Sequence, residues 1–367
     1  MESVKFRKPL DGTVICITDE VIDRGAAVAD CIIHAPAEHT LTVNGIECTE
    51  RNGAYFATVP LGKKAGEVEL TVTDGDTGEE DTARVRVAYV HKKIFRVSVD
   101  DNILAFADIA KHQDEYASIF DNEYFAMYRR LHEDYGVKFH FNLFYTTPLK
   151  GGFDLSQFPD KYKEEWLSIR DWLTLSFHAN ADSPANPYIN SPYEQVYFEC
   201  KRVMDEIERF AGYRGYVTTL HYCEATENGL RALYDCGIRV LLGCFELRPN
   251  GQHVSCYSVT REQFDAVKEN SFWREPKSGI IMFYPDVVLN NHPCNEIIEK
   301  LERAARDYPN RNFVDMLIHE QLYYKDIPGH VHIPEYEDRI RTGIEWCLSH
   351  GYTPGLVREL ITEDVIY

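Results

Sequence analysis

Ile94-Phe95-Arg96-Val97-Ser98-Val99-Asp100-Asp101 is the stretch that decides how this chain is read. Its apolar run has the length of a buried strand. It ends in two adjacent carboxylates, which repel each other unless a cation or a proton intervenes. A second run, Trp172-Leu173-Thr174-Leu175-Ser176-Phe177, ends in His178, with Asp182 four residues on. A third, Phe313-Val314-Asp315-Met316-Leu317-Ile318, ends in His319-Glu320. In enzymes built from β/α units, catalytic groups sit at the C-terminal ends of strands. Three apolar runs with ligand-type residues at their ends therefore point to one site on one face.

The bulk composition narrows the class. The 367 residues leave room for about two domains of ~150 each, and 44% apolar content supports a packed core. A formal charge of −20 argues against nucleic acid or an anionic membrane as partner, since phosphate binding needs clustered Lys and Arg. No apolar stretch reaches the roughly 20 residues of a membrane span. Met1-Glu2-Ser3-Val4-Lys5 lacks the regions of a signal peptide. Ten cysteines without a CxxC pair read as free thiols, with Cys200, Cys236 and Cys244 in apolar stretches. The expectation is a cytoplasmic protein.

The first ~90 residues differ in rhythm from the rest. Asn44-Gly45 separates Leu41-Thr42-Val43 from Ile46-Glu47-Cys48, a strong hairpin signal because both turn residues tolerate φ > 0. Val68, Leu70 and Val72 alternate with polar residues, as do Val85, Val87 and Tyr89. Period two with regular turns predicts a small antiparallel sandwich over 1–92. Beyond Lys92-Lys93 strands and helices alternate. Ser191-Pro192 predicts a helix start with Ser as N-cap. Val196, Cys200, Val203, Ile207 and Phe210 then recur at helical spacing, and Gly212 follows. Glu227 to Cys236 reads as a helix closed by Gly237, followed by a strand over Ile238 to Leu242. Such βαβ repetition over 93–367 implies a parallel sheet, open or closed. Residues 243–285 break the rhythm and suggest an inserted hairpin region.

These residues carry a resemblance. Residues 94–350 resemble the polysaccharide deacetylase (NodB-homology) family of metal-dependent amidases and esterases. Its first motif, Thr/Ser-Phe/Val-Asp-Asp, matches Ser98-Val99-Asp100-Asp101. Its second, His-x-x-x-His, matches His178 to Asp182 with Asp in place of the second His. Its last, Leu-Leu-His-Asp, matches Leu317-Ile318-His319-Glu320. Residues 42–74 resemble bacterial immunoglobulin-like modules. The resemblance implies an α/β fold, a distorted (β/α)7 NodB-like barrel preceded by a small all-β immunoglobulin-like sandwich. It implies Asp100 as general base, His319 as general acid, and Asp101, His178 and Asp182 as metal ligands. The chemistry is coherent: a divalent metal acidifies bound water and polarises the acyl oxygen, a carboxylate takes the proton, and an imidazole protonates the leaving group. Zinc is the first expectation, with Mn, Fe, Co or Ni as alternatives.

The chain departs from the family at its third motif, Arg-x-Pro-Tyr-Gly, which falls on Thr219-Leu220-His221-Tyr222-Cys223. The Arg that would pair with the base is absent, and Tyr222 alone is kept, with its backbone N–H as the implied oxyanion contact. His221 sits at an expected strand end as an additional site residue, ligand or structural. His292 is a loop histidine at the edge of the site, and Glu320 either orients His319 or is solvated. The function expected is a metal-dependent hydrolase of non-peptide carbon–nitrogen or ester bonds, acting on a saccharide or small amide. The alternative is a catalytically diverged carbohydrate-binding or scaffold protein. Assembly into a homo-oligomer is left open.

Overall fold

The computed structural model describes residues 3–18, 27–90, 92–243, 246–247, 253–254, 257–270, 272–309 and 311–360. It divides into two units, one built on Met1–His91 with Thr260–Met282, the other on Lys92–Val259 with Phe283–Leu360.

In the first unit, alternation produces two sheets. One has the strand order Lys5–Lys8, Ala27–His34, Ala54–Gly62, Thr49–Arg51. The other runs Val14–Ile17, Glu80–Tyr89, Gly66–Asp74, Leu41–Val43, Ile46–Glu47. Apolar residues from both, among them Ile33, Tyr55, Val59, Val72 and Val85, form one core. The Asn44-Gly45 turn is left-handed at both residues, with φ of 48° and 80°. The sequence reading ran the second domain unbroken from 93 to 367, but Thr260–Met282 groups with the first unit. The cause is local: Arg274 N–H donates to the Gly12 carbonyl at 2.9 Å, and the Trp273 indole donates to the Asp11 carbonyl at 2.8 Å. Gly12 has φ +87°, and a Cβ there would sit 1.9 Å from the Arg274 carbonyl oxygen.

The second unit is mixed α/β with a curled parallel sheet. Its strands run in the order Leu173–Ala179, Phe139–Phe144, Ile94–Asn102, Phe313–His319, Val287–Val288. A shorter parallel pair, Val217–Thr218 with Val240–Leu242, follows. Helices occupy the intervals, as crossovers between parallel strands require. The helix at Ser191-Pro192 starts one residue later than expected, at Tyr193, and Ser191 donates to the Pro187 carbonyl instead of capping. The expected helix after Thr226 spans Glu227–Asp235, and Gly237 follows with φ +98°. Within the expected insertion, Glu246–Leu247 pairs antiparallel with His253–Val254, and a helix follows over Arg261–Asn270. Cys244 and the Pro249-Asn250-Gly251 turn lie outside the described residues.

Every second residue of the central strands points to the same face. One face is apolar: Val97 and Val99, Phe139 and Phe141, Leu175 and Phe177 are fully buried. Phe125 stacks on Phe141 and meets Trp166 edge-on, closing this layer with aromatic rings from the helices. The other face carries Arg96, Ser98 and Asp100, then His140 and Asn142, then Ser176 and His178, then Asp315, all buried. The strands thus have a polar interior that the apolar-run reading passed over.

The strand Ile94–Asn102 runs directly into the helix Leu104–Lys111, and Glu320 fastens that junction. Its carboxylate, fully buried, accepts from the N–H of Ile103 at 2.6 Å, Leu104 at 2.8 Å and Ala105 at 2.8 Å. These are helix donors with no partner inside the helix. Glu320 therefore neither orients His319 nor faces solvent; it caps the helix behind the two aspartates. Glu320→Ala leaves three buried donors unpaired at about 1 kcal/mol or more each. A loss of about 3 kcal/mol in urea unfolding is expected, and a loss under about 1 kcal/mol would show that water replaces the cap.

Candidate metal centre

Adjacent residues in a regular strand point to opposite faces, so Asp100 and Asp101 cannot share a site without a local break. The break is present. The ladder to Phe139–Phe144 shifts register between Val99 and Asn102, and Asp101 adopts φ +63°. Asn102 holds the irregularity: its amide donates to the Val99 carbonyl at 2.6 Å and the Asn142 carbonyl at 3.1 Å, and its oxygen accepts from Tyr124. Such bulges re-aim side chains at functional sites.

The re-aimed Asp101 meets two imidazoles. Its Oδ1 lies 2.9 Å from His178 Nε2 and 3.2 Å from His221 Nδ1, and the two nitrogens are 3.2 Å apart. All three residues are buried. The tautomers follow from the outer nitrogens. His178 Nδ1 faces the Thr219 carbonyl, and His221 Nε2 faces the Asp182 carbonyl at 3.1 Å. A carbonyl only accepts, so each outer nitrogen carries the proton and each neutral ring turns a lone pair inward. Phe144 packs against both rings, with centroids 5.2 Å and 4.9 Å away. Gln321 donates to Asp101 Oδ2, while Oδ1 is buried without a hydrogen bond.

A carboxylate oxygen and two lone pairs aimed at one point repel unless a cation lies between them. The triangle they form, 2.9 by 3.2 by 3.2 Å, is close to the about 3.3 Å edge spanned by ligands at about 2.0 Å from a tetrahedral ion. Outer-nitrogen bonds to backbone carbonyls are the support that metal-binding histidines receive. Asp101, His178 and His221 thus fit a divalent metal with one carboxylate and two imidazole ligands.

The sequence-predicted residues fall as follows. Asp101 and His178 come together. The resemblance implied Asp182 as third ligand, but the group with ligand geometry is completed by His221, which the sequence had left open as ligand or structural. The Asp182 carboxylate is half-exposed, 3.8 Å from the outer nitrogen of His221, and its backbone carbonyl makes the closer bond. The reason is topological: the strand Leu173–Ala179 ends just past His178, and Asp182 lies in the loop beyond. Asp100 and His319 are register partners on adjacent strands. Asp100 accepts from Asn142 Nδ2 at 2.6 Å, and burial together with the Asp101 charge pushes its pKa well above the usual range. His319 Nδ1–H donates to Asn290 Oδ1 at 2.8 Å. Tyr222 and Cys223 are both left-handed, φ 62° and 51°, and the half-exposed Tyr222 ring lies 4.5 Å from that of His221. His292 stands apart, paired with Glu296 at 3.1 Å. Asn142, Asn290 and Gln321 were missed; period-two alternation through His140 and Asn142 was the available signal for the first.

A second group, His39, Asp74 and Asp76, also has ligand geometry. Its carboxylates are taken up by Thr77, by the Asp76 and Thr40 N–H groups and by His39, which makes it a turn.

No family model matches the chain, and no curated protein matches it. Solved structures similar to this chain include carbohydrate esterases of family 4. A family 4 acetyl xylan esterase from Clostridium thermocellum, in complex with a cobalt ion, is 13% identical, with 73% of this chain and 90% of that one covered and a TM-score of 0.39. A peptidoglycan N-acetylglucosamine deacetylase is 12% identical over 75% and 90%, TM-score 0.41. A family 4 pseudoenzyme from Bacillus anthracis is 10% identical over 78% and 76%, TM-score 0.37. At these scores the likeness is loose, and the centre rests on the geometry of this chain.

The ligand set is testable by elemental analysis of protein purified without added metal. His221→Ala is expected to lose bound transition metal as fully as His178→Ala. Asp182→Ala keeps its backbone carbonyl and is expected to retain at least half the wild-type content. Retention by His221→Ala with loss in Asp182→Ala would reverse the assignment.

Proposed function

We propose that this protein is a metal-dependent hydrolase of non-peptide carbon–nitrogen or ester bonds, acting as a deacetylase on a saccharide or a small amide. The convergence of Asp101 Oδ1, His178 Nε2 and His221 Nδ1 on one point, with a second buried carboxylate beside them, carries the proposal. A metal held there supplies Lewis acidity toward an acyl oxygen and acidifies a bound water. Asp100 stands next in the chain as general base. His319, across the ladder from Asp100, has Nδ1 fixed by Asn290 and Nε2 left for the leaving group. Tyr222 N–H is the oxyanion contact that the motif resemblance assigns. Zinc suits a set of two imidazoles and one carboxylate.

The same proposal takes the second unit, Lys92–Val259 with Phe283–Leu360, as a distorted (β/α)7 barrel and residues 1–92 of the first as an immunoglobulin-like domain. No described helix is long and apolar enough to cross a membrane, and the free thiols agree with a cytoplasmic setting. Binding without catalysis is the second reading. One observation favours it: Asp100 is bonded to the neutral amide of Asn142, and the arginine that the resembling family's third motif would supply is absent, with Thr219 at its position.

Hydrolysis of aryl acetates and acetylated amino sugars by metal-loaded protein separates the two. Asp100→Asn is expected to keep its metal and lose about 10²–10⁴-fold in rate, the usual contribution of a general base. His319→Ala is expected to slow substrates with poor leaving groups far more than activated aryl esters. Saccharide binding without turnover, unchanged in Asp100→Asn, would establish the second reading instead.

A further inference from the structure

The N-terminal ends of the same strands enclose a cavity that the hydrolase reading does not use. Arg96 lies five residues before Asp101, a separation of roughly 16 Å at ~3.3 Å per residue. Around Arg96 is a cavity of about 150 Å³, shared with His140, Arg170, Arg214 and Arg358. Four arginines at one place are unexpected in a chain of net charge −20. None of the residues lining the cavity is acidic.

The charges there are only partly met. Arg214 pairs with Asp205 and with Glu208, and Arg358 with Asp171 at 2.9 Å. Arg170, exposed at the rim, forms no ion pair among the described residues. Arg96 is 1% exposed. Its Nε donates to Asp315 at 2.8 Å, but its Nη2 is buried with no partner. A buried guanidinium nitrogen left unpaired costs free energy unless an acceptor reaches it. Tyr213, Val217 and Leu356 supply an apolar wall on the same cavity. Cavities of about this volume admit a benzene ring.

We propose that this cavity binds a small organic anion, a carboxylate or a phosphate ester, with its charge on Arg96 and Arg170 and its carbon body against Tyr213, Val217 and Leu356. Arginine suits either acid because its planar fork matches both carboxylate and phosphate oxygens. The site also has a line to the candidate metal centre. Thr174 Oγ1 donates to His140 Nδ1 at 2.7 Å, His140 Nε2–H donates to Asn142 Oδ1 at 3.1 Å, and Asn142 Nδ2–H donates to Asp100 at 2.6 Å. Thr174 and His140 both line the cavity.

Calorimetric titration of the full chain with benzoate, phenyl phosphate and neutral benzamide tests the proposal. EDTA in every cell keeps the anions from any bound metal ion. Saturable binding of benzoate or phenyl phosphate, with benzamide silent, is expected, and the tighter of the two identifies the acid. Arg170→Glu, a change at the exposed rim, is expected to weaken that binding at least tenfold. Arg96→Lys, which keeps a cation beside Asp315, is expected to weaken it as well. Failure of both anions to bind, equal binding of benzamide, or an Arg170→Glu affinity within twofold of wild type would overturn the proposal.

Discussion

Three electron-pair donors aimed at one buried point are the constraint on which the second unit turns. The neutral rings of His178 and His221 each spend their one N–H on a backbone carbonyl, so in that form neither donates inward to Asp101. The arrangement is stable with a cation at the point and strained without one. Much of the surrounding structure serves to keep it. Phe144 packs on both rings, Gln321 holds the far oxygen of Asp101, and Asn102 clamps the bulge that brings Asp101 round to this side. Left-handed backbone at Asp101, Tyr222 and Cys223 is a further cost at this site. Strain of this kind persists only where surrounding contacts over-determine the geometry.

The polar interior explains how one sheet can host two sites. In most buried parallel strands both faces are apolar, because helices cover them. Here one face is aromatic and aliphatic against helices, while the other carries arginine, histidine, asparagine and aspartate. Burying such groups is tolerable only if each finds a partner. The Arg96–Asp315 pair at one end and the Asn142–Asp100 bond toward the other provide them. Asn142 is the hub: it donates to Asp100 and Ser98 and accepts from His140 and Thr218. Among the orphaned atoms, Arg96 Nη2 and Asp101 Oδ1 lie at the two ends of this interior, and Asp315 Oδ2 and Thr219 Oγ1 are unpaired as well.

The amino-acid sequence by itself determined the rhythm of the chain. Alternation up to Tyr89 and strand–helix repetition beyond it are local patterns, set by which side chains must face water. Strand ends carrying Asp100-Asp101, His178 and His319 were legible for the same reason, since polar residues interrupt apolar runs where a strand meets a site. The tertiary structure decided what depends on distant partners. The motif resemblance offered Asp182 as the third ligand, four residues from His178. The structure brings His221 there, forty-three residues away, because the ends of the strand Leu173–Ala179 and of the short strand Val217–Thr218 come together. Glu320 was open between orienting His319 and facing solvent, yet its partners are the N–H groups of Ile103, Leu104 and Ala105, more than two hundred residues earlier. The bulge at Asp101 has no sequence mark, because it is fixed by Asn102 bonding to the next strand. Local physics is written in neighbouring residues. Ligand sets, caps and bulges depend on groups that only folding makes neighbours.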